Sequence, residues 1–173
     1  MRRARLLQGL LAGAALCAAA GLAAAQEMAD VTRPCKQADL VGAWEVIRFG
    51  AAPPVRVDRS DPAFYPYQRL VFGANATLRH LTSQTKITAD QHRALLAGAA
   101  PATWAVDGAG RLLLLREGET RLERSACLVL TKQVMDPRSR VPALVGDILL
   151  TRYDTVDTPV MRQQLRKLEG LGE

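Results

Sequence analysis

The stretch ATWAVDGAGRLLLLREGETRLERSACLVLTKQV, residues 102–134, decides the fold class predicted for this chain. It consists of short runs rich in apolar residues, separated by turn-forming sequences. Two of these turns are DGAG at 107–110 and EGE at 117–119, where glycine and aspartate favour tight reversals of the chain. The spacing predicts strands at 102–107, 111–117, 119–124 and 126–134.

Similar runs extend this series in both directions along the chain. They predict a strand at 41–50, a hairpin of 67–74 and 76–83 about Gly73-Ala74-Asn75, and a strand at 146–153. Eight short strands with tight turns favour a closed barrel or a sandwich. Because closure removes the exposed strand edges that invite aggregation, we predict a mainly β fold, an eight-stranded antiparallel barrel.

Two helices are predicted beside the strands. Thr88-Ala89-Asp90-Gln91 is a capping-box pattern that opens a short inserted helix at 89–97, before Gly98. Thr158 as N-cap and Pro159 as first helical residue predict a C-terminal helix at 159–169. We expect this helix to pack on the outside of the barrel, and a helix at a membrane surface is the alternative. Its apolar face would be formed by Met161, Leu165 and Leu168.

The first 25 residues predict export from the cytoplasm. Arg2, Arg3 and Arg5 precede an apolar run from Leu6 to about Leu22, and the small residues Ala23-Ala24-Ala25 follow. We therefore predict a signal peptide at 1–25 and a periplasmic or secreted location for residues 26–173. An uncleaved membrane anchor is the alternative, whereas a lipoprotein is disfavoured because Leu16 precedes Cys17.

Residues 26–173 have the length of one ordinary domain. Without the three arginines of the predicted signal peptide, 20 basic side chains face 17 acidic ones, which gives a net charge of +3. So small a charge argues against a nucleic-acid partner. We expect a monomer with no stable membrane span after cleavage.

Two cysteines remain in the predicted mature chain, Cys35 and Cys127. In an oxidising compartment such a pair predicts a disulfide bond. The chain-entropy model gives about 4–5 kcal/mol for a loop of this length. Free thiols and metal ligands are the alternatives, and the second is weak because no CxxC pattern or neighbouring histidine is present.

Leu40-Val41-Gly42-Ala43-Trp44-Glu45-Val46 resembles the start of the first strand in lipocalin-like (calycin) barrels. The family carries Gly-x-Trp at this point, which corresponds to Gly42 and Trp44. The resemblance implies that the glycine passes close to the barrel floor and that the tryptophan plugs the closed end. It also implies an arginine from the last strand over the indole, here Arg152, and a helix after strand eight.

Enzyme motifs are absent from the sequence. The serines lie in no nucleophile-elbow context, and no glycine-rich phosphate loop is present. His80 alternates with Leu78 and Thr82 and could face inward, whereas His92 is expected to be exposed on the inserted helix. No acidic residue stands at a metal-site spacing from them. We therefore predict no enzyme activity, no metal and no cofactor.

Pro62-Ala63-Phe64-Tyr65-Pro66-Tyr67 is the most unusual surface candidate. In a lipocalin-like barrel this connection lies over the open end, so that Phe64 and Tyr65 either gate a cavity, meet a partner, or fold back as structural plugs.

Two hypotheses for the function follow. The first is a barrel that binds a small apolar or amphipathic molecule. The second is a protein-interaction module with a packed core, and here the chain also resembles small periplasmic protease-inhibitor barrels, whose N-terminal arm would correspond to residues 26–34. In the first hypothesis, the residues expected to line the cavity are Phe72, His80, Trp104 and Leu113.

Overall fold

The computed structural model describes residues 29–52, 55–135, 141–154 and 157–170. The predicted signal peptide lies outside these ranges. The strands are β1 Thr32–Pro34, β2 Gly42–Ala51, β3 Tyr67–Phe72, β4 Thr77–Ser83, β5 Ala102–Val106, β6 Arg111–Arg116, β7 Glu123–Leu130, β8 Ile148–Tyr153 and β9 Pro159–Lys167. The helices are α1 Gln37–Leu40, a 3₁₀ turn at Pro62–Phe64 and α2 Ala89–Ala97.

Strands β2 to β9 form a closed antiparallel barrel of eight strands. Each strand pairs with the next along the chain, and β9 returns to pair with β2. The predicted architecture is therefore confirmed, and the barrel is compatible with a lipocalin-like fold. The inserted helix is confirmed as well: α2 begins after Thr88, whose hydroxyl accepts from the Gln91 N–H, and it ends at Gly98.

The predicted C-terminal helix at 159–169 is wrong, because this segment is the strand β9. Met161 and Leu165 are spaced by four residues, and that spacing places two side chains on one face of a helix and also of a strand. The sequence pattern alone does not separate the two periods. Pairing decides the outcome, since β9 fills the place between β2 and β8 and so closes the barrel.

The two strands predicted at 119–124 and 126–134 are a single strand, β7. Ser125 continues the strand because β7 is paired on both sides at this point, with β6 and with β8. The merged strand and the unforeseen β9 offset each other, which explains why the predicted number of strands is right although two segments were misassigned.

An N-terminal arm joins the sheet of the barrel at the end of β7. Strand β1 pairs with the end of β7, and the Cys35 N–H donates to the Cys127 carbonyl over 3.0 Å. The predicted disulfide between these two cysteines is confirmed. Gly110 has a positive φ of 76°, and a Cβ there would lie 2.5 Å from the Cβ of Pro34, so the β5–β6 turn requires glycine for the arm to pass.

Replacing both cysteines with alanine is expected to lower the free energy of unfolding by about 2–4 kcal/mol, because the unfolded chain gains the freedom of a long loop. Urea unfolding of the double variant should show a lower midpoint and a larger m-value, since an unlinked unfolded chain exposes more surface. An unchanged midpoint would show that β1 pairing alone holds the arm.

Trp44 closes one end of the barrel, as the resemblance implies. Its side chain is 2% exposed, and its Nε1–H donates to the Leu40 carbonyl over 2.7 Å. Leu40, the last residue of α1, is fully buried beneath it. Gly42 has a φ of 122°, and a Cβ there would lie 3.0 Å from Cε of Lys167. The close approach expected of this glycine is therefore to a lysine side chain.

The residue over the Trp44 indole is Lys167 and not Arg152. The Lys167 Nζ lies 5.7 Å from the ring centroid, in cation–π range. Lys167 stands directly opposite Trp44 in the β2–β9 ladder. Arg152 stands opposite Met161, at the other end of β9. The prediction for Arg152 failed because it assigned β8 as the last strand.

Candidate functional site

The strand ladders determine which side chains point into the barrel, because directly opposed residues share a face. Starting from Trp44, the inward face divides into two layers. The layer nearest Trp44 is apolar and closely packed. It consists of Trp44, Val46, Leu70, Phe72, Leu78, Ala102, Trp104, Leu112, Cys127, Val129, Ile148, Leu150 and Leu165.

This apolar layer contains two residues that were predicted to line a ligand cavity. Phe72 is fully buried and Trp104 is 3% exposed. Their rings meet edge to face, with centroids 5.1 Å apart. They therefore fill the interior as core residues. Leu113 does not face the interior, because its neighbours Leu112 and Leu114 occupy the inward positions of β6.

The second layer lies at the opposite end, which we call the mouth, and its inward side chains are mainly polar. Phe49 and Met161 are also inward at this level. We define the mouth layer by its polar members, which are Gln68, His80, Thr82, Arg116, Glu123, Ser125, Arg152 and Gln163. Of the predicted ligand-binding residues, only His80 belongs to it.

Hydrogen bonds connect several members of the mouth layer. Arg116 Nε lies 2.9 Å from Oε1 of Glu123. Across the barrel, Gln163 Nε2 donates to Oε1 of Gln68 over 3.3 Å. These contacts join β6 to β7 and β9 to β3, so the layer is organised by side-chain contacts as well as by the sheet.

The connection between β2 and β3 covers one side of the mouth. Gln68 Nε2 donates to the carbonyls of Ala63 and Tyr65, both over 3.0 Å, and so holds the 3₁₀ turn across the barrel end. Phe64 is 8% exposed and packs as a buried residue, whereas Tyr65 is half-buried. Phe64 thus has the position of the structural plug that was one of its predicted roles. Gating by Phe64 or Tyr65 stays a prediction.

His80 is the inward titratable group on β4. Its Nε2 is enclosed and has no hydrogen-bond partner in the described part of the chain. Burial, together with a smaller effect of the nearby Arg116 guanidinium, lowers the pKa of His80 to about 4, against an opposing effect of Glu123. His80 is therefore neutral at physiological pH.

This pKa predicts a loss of stability on mild acidification. In the unfolded chain a histidine binds its proton near pH 6.5, whereas the folded protein resists protonation of His80 down to about pH 4. The contribution of His80 to the free energy of unfolding is therefore fully present above pH 6.5 and is lost as the pH drops toward 4. The expected contribution at pH 5 is a loss of about 2 kcal/mol relative to pH 7.5.

Urea unfolding at these two pH values, compared between the wild type and His80→Gln, measures that contribution. The variant should lose about 2 kcal/mol less on acidification. Parallel pH profiles of the two proteins would contradict the assignment. The double variant His80→Gln/His92→Gln separates the contribution of His92, the second histidine of the chain.

His92 is buried and not exposed as predicted. It lies on the inner side of α2 and is 2% exposed, and burial together with the nearby Arg69 lowers its pKa. Arg69 lies on the outer face of β3 and is itself 7% exposed. The prediction failed because α2 packs against the sheet with its first turn inward, which places this histidine at the contact.

Two clefts open at the rim of the mouth. One, of about 490 Å³, is mainly apolar and is lined by residues 99–103 and by Leu115. The other, of about 320 Å³, lies between the start of β7, the end of β8 and the start of β9, and we call it the β7–β8 cleft. Arg116 borders the first cleft and Glu123 the second, so their ion pair stands between the two.

No protein-family model, no curated protein and no solved structure matches the chain. Within the described residues, no group of three or more His, Cys, Asp or Glu side chains is placed to hold a metal ion. Across the same ranges, no helix is long and apolar enough to cross a membrane. The site is therefore interpreted from its own geometry.

Proposed function

We propose that the protein binds a small molecule at the mouth of its barrel, outside the cytoplasm. The observation that carries the proposal is the mouth layer. It places polar side chains of six strands around one barrel end, and among them is an enclosed imidazole nitrogen to which no described residue is hydrogen-bonded. Buried polar atoms are normally hydrogen-bonded, and convergent polar groups beside a cleft are typical of ligand sites.

The packing of the barrel restricts the kind of ligand. Phe72 and Trp104 fill the apolar layer, so an apolar molecule deep in the barrel would have to displace core side chains. The mouth instead combines a polar interior with an apolar rim at Leu115 and Leu122, which are 37% and 51% exposed. An amphipathic ligand suits this arrangement better than a purely apolar one.

The location rests on two observations of different kinds. The Cys35–Cys127 disulfide is typical of proteins in oxidising compartments. The sequence of residues 1–25 has the charge and hydropathy pattern of an export signal. Together they support a periplasmic or secreted protein.

A protein-interaction module is the second candidate function. The filled apolar layer favours it, as do Met135 and Val145, which are 66% and 65% exposed. The fold restricts which residues could act as a protease-inhibiting arm, because Thr32–Pro34 of the expected arm pair with β7. An inhibiting arm would therefore consist of residues before Thr32. Retention of partner binding after deletion of 26–31 would contradict that version.

Native mass spectrometry of protein purified from the periplasm of an expression host, without detergent, tests the ligand proposal. We expect an additional mass that disappears on denaturation. Ser125→Phe fills the mouth layer from β7 and should remove the additional mass. Ala126→Phe, one residue along and on the outer face, should keep it. A bare mass, or an additional mass unaffected by Ser125→Phe, would contradict binding at the mouth.

A further inference from the structure

The β7–β8 cleft brings together side chains of both charges. It is bordered by three arginines and three carboxylates, so its formal charge is zero. The arginines and the carboxylates differ in how far each group already interacts with other residues of the protein. The arginines are Arg121, Arg124 and Arg152, and the carboxylates are Glu119, Glu123 and Asp154.

The carboxylates are directed toward partners in the protein. Glu123 accepts from Arg116 Nε over 2.9 Å. Asp154 Oδ1 accepts from the backbone N–H of Thr158 over 2.9 Å, and this bond closes the β8–β9 turn. Glu119 lies close enough to Arg116 to raise its pKa. The negative charges of the cleft are thus directed to Arg116 and to a turn.

The arginines of the cleft are not paired with other residues in the way that the carboxylates are. Arg124 has its nearest carboxylate, that of Asp157, at 3.9 Å, which is beyond hydrogen-bonding distance. Arg152 differs from the other two because it is an inward residue of the mouth layer, level with Ser125 and Met161. In the described ranges no carboxylate lies within 4.0 Å of its guanidinium.

Arg152 therefore provides a half-buried positive charge with its hydrogen-bond donors unused by the described residues. A guanidinium presents a planar fork of donors that matches a carboxylate. The neighbouring Glu119, Glu123 and Asp154 would repel a dianion more strongly than a monoanion. The apolar side chains of Leu122 and Val160 line the same cleft and offer a surface for an apolar group.

We infer that the ligand of the mouth is a small monoanionic organic acid, whose carboxylate pairs with Arg152 and whose apolar body rests against Leu122 and Val160. The inference rests on the proposed function, since it names the chemical class of the molecule bound at the mouth. In this inference Arg152 binds the ligand, whereas Lys167 occupies the position over Trp44.

Isothermal titration calorimetry with three probes of the same shape tests this inference. The probes are 4-phenylbutyrate, 4-phenylbutan-1-ol and 4-phenylbutylamine, which differ in charge at neutral pH. The acid is expected to bind about 10- to 100-fold more tightly than the alcohol, as for a hydrogen bond to a charged group, and the amine is expected to bind least.

Arg152→Gln should weaken binding of the acid about 10- to 100-fold and leave binding of the alcohol unchanged. Arg124→Gln is the matched control, because Arg124 lines the same cleft from the outer face of β7; it should change the affinity less than 3-fold. The far-ultraviolet circular dichroism and urea midpoints of both variants show whether they are folded.

The outcomes separate the two proposals. Equal binding of acid and alcohol, or an Arg152→Gln variant that retains the acid, overturns the assignment of the anionic ligand but leaves a ligand site at the mouth. No binding of any probe overturns the assignment of a small organic acid. If the periplasmic protein in that case also has a bare mass, the proposed function fails with it.

Discussion

Replacing Trp44 with alanine is expected to lower the free energy of unfolding by about 3–5 kcal/mol, as for other buried aromatic residues truncated to alanine. Three contacts are lost at once. The indole leaves the apolar layer, its hydrogen bond of 2.7 Å to the Leu40 carbonyl disappears, and Lys167 loses the ring beneath its ammonium group. Because α1 and the end of β9 both rest on this ring, neither can easily close the cavity.

Urea or thermal unfolding monitored by circular dichroism measures this loss. Trp44→Phe is the control, since it retains an aromatic ring but not the indole N–H; it should cost about 1–2 kcal/mol. Lys167→Gln should cost less than about 1 kcal/mol, the scale of an exposed cation–π contact. A loss below about 1 kcal/mol for Trp44→Ala would contradict the role of Trp44 as the plug of the barrel end.

Much of the barrel could be predicted from local signals. The turns at Gly73-Ala74-Asn75 and Asp107–Gly110 lie between paired strands, as expected, and the capping box at Thr88 opens α2. Turns and caps are encoded by a few neighbouring residues, and their energies do not depend on distant parts of the chain. For this reason they can be recognised in a single sequence.

The end of the chain shows where local signals are insufficient. Thr158 and Pro159 are good helix starters, and the Met161–Leu165 spacing satisfies a helix. The segment is nevertheless a strand, because the barrel needs one more ladder between β2 and β8. Long-range pairing overrides local propensity here, and the error also transferred the cation–π role from Lys167 to Arg152.

The mouth layer was mostly missed for a related reason. Arg116, Glu123 and Gln163 stand at alternate positions of strands whose registers are unknown before the barrel is assembled. A shift of one residue exchanges inward and outward faces. The run Leu112–Leu115 illustrates this: four apolar residues in succession conceal the period, and Leu113 was therefore assigned to the wrong face. The sequence contained one signal: Arg111 and Arg116 stand at the two ends of this apolar run and mark its boundaries.

Asp147 holds the long β7–β8 connection in place from a buried position. Its side chain is 3% exposed, and its two oxygens accept from the Arg166 guanidinium over 3.0 and 2.7 Å. Oδ2 also accepts from Gln164 Nε2 over 2.8 Å and from the Leu144 N–H over 2.9 Å. Burial alone would raise the pKa of Asp147, but these donors together lower it, so the carboxylate is charged.

Asp147→Asn is expected to lower the free energy of unfolding by about 3–5 kcal/mol, the range for breaking a buried ion pair by removing one partner. An amide of the same shape offers one acceptor oxygen, and its NH₂ group would face the Arg166 or Gln164 donors. Arg166, whose side chain is 30% exposed, would keep its charge without the carboxylate that neutralises it. Equilibrium urea unfolding at pH 7 measures the loss.

Asp90→Asn is the matched control, because Asp90 also pairs with an arginine, Arg93, but both side chains are exposed, at 84% and 71%. Exposed pairs contribute little, so this variant should cost less than about 1 kcal/mol. If both substitutions lowered the free energy of unfolding by the same small amount, burial would not determine how much the contacts of Asp147 contribute to stability. The β7–β8 connection would then be held by its Val134–Ala143 bridge and by the Pro142 carbonyl contact to Arg166.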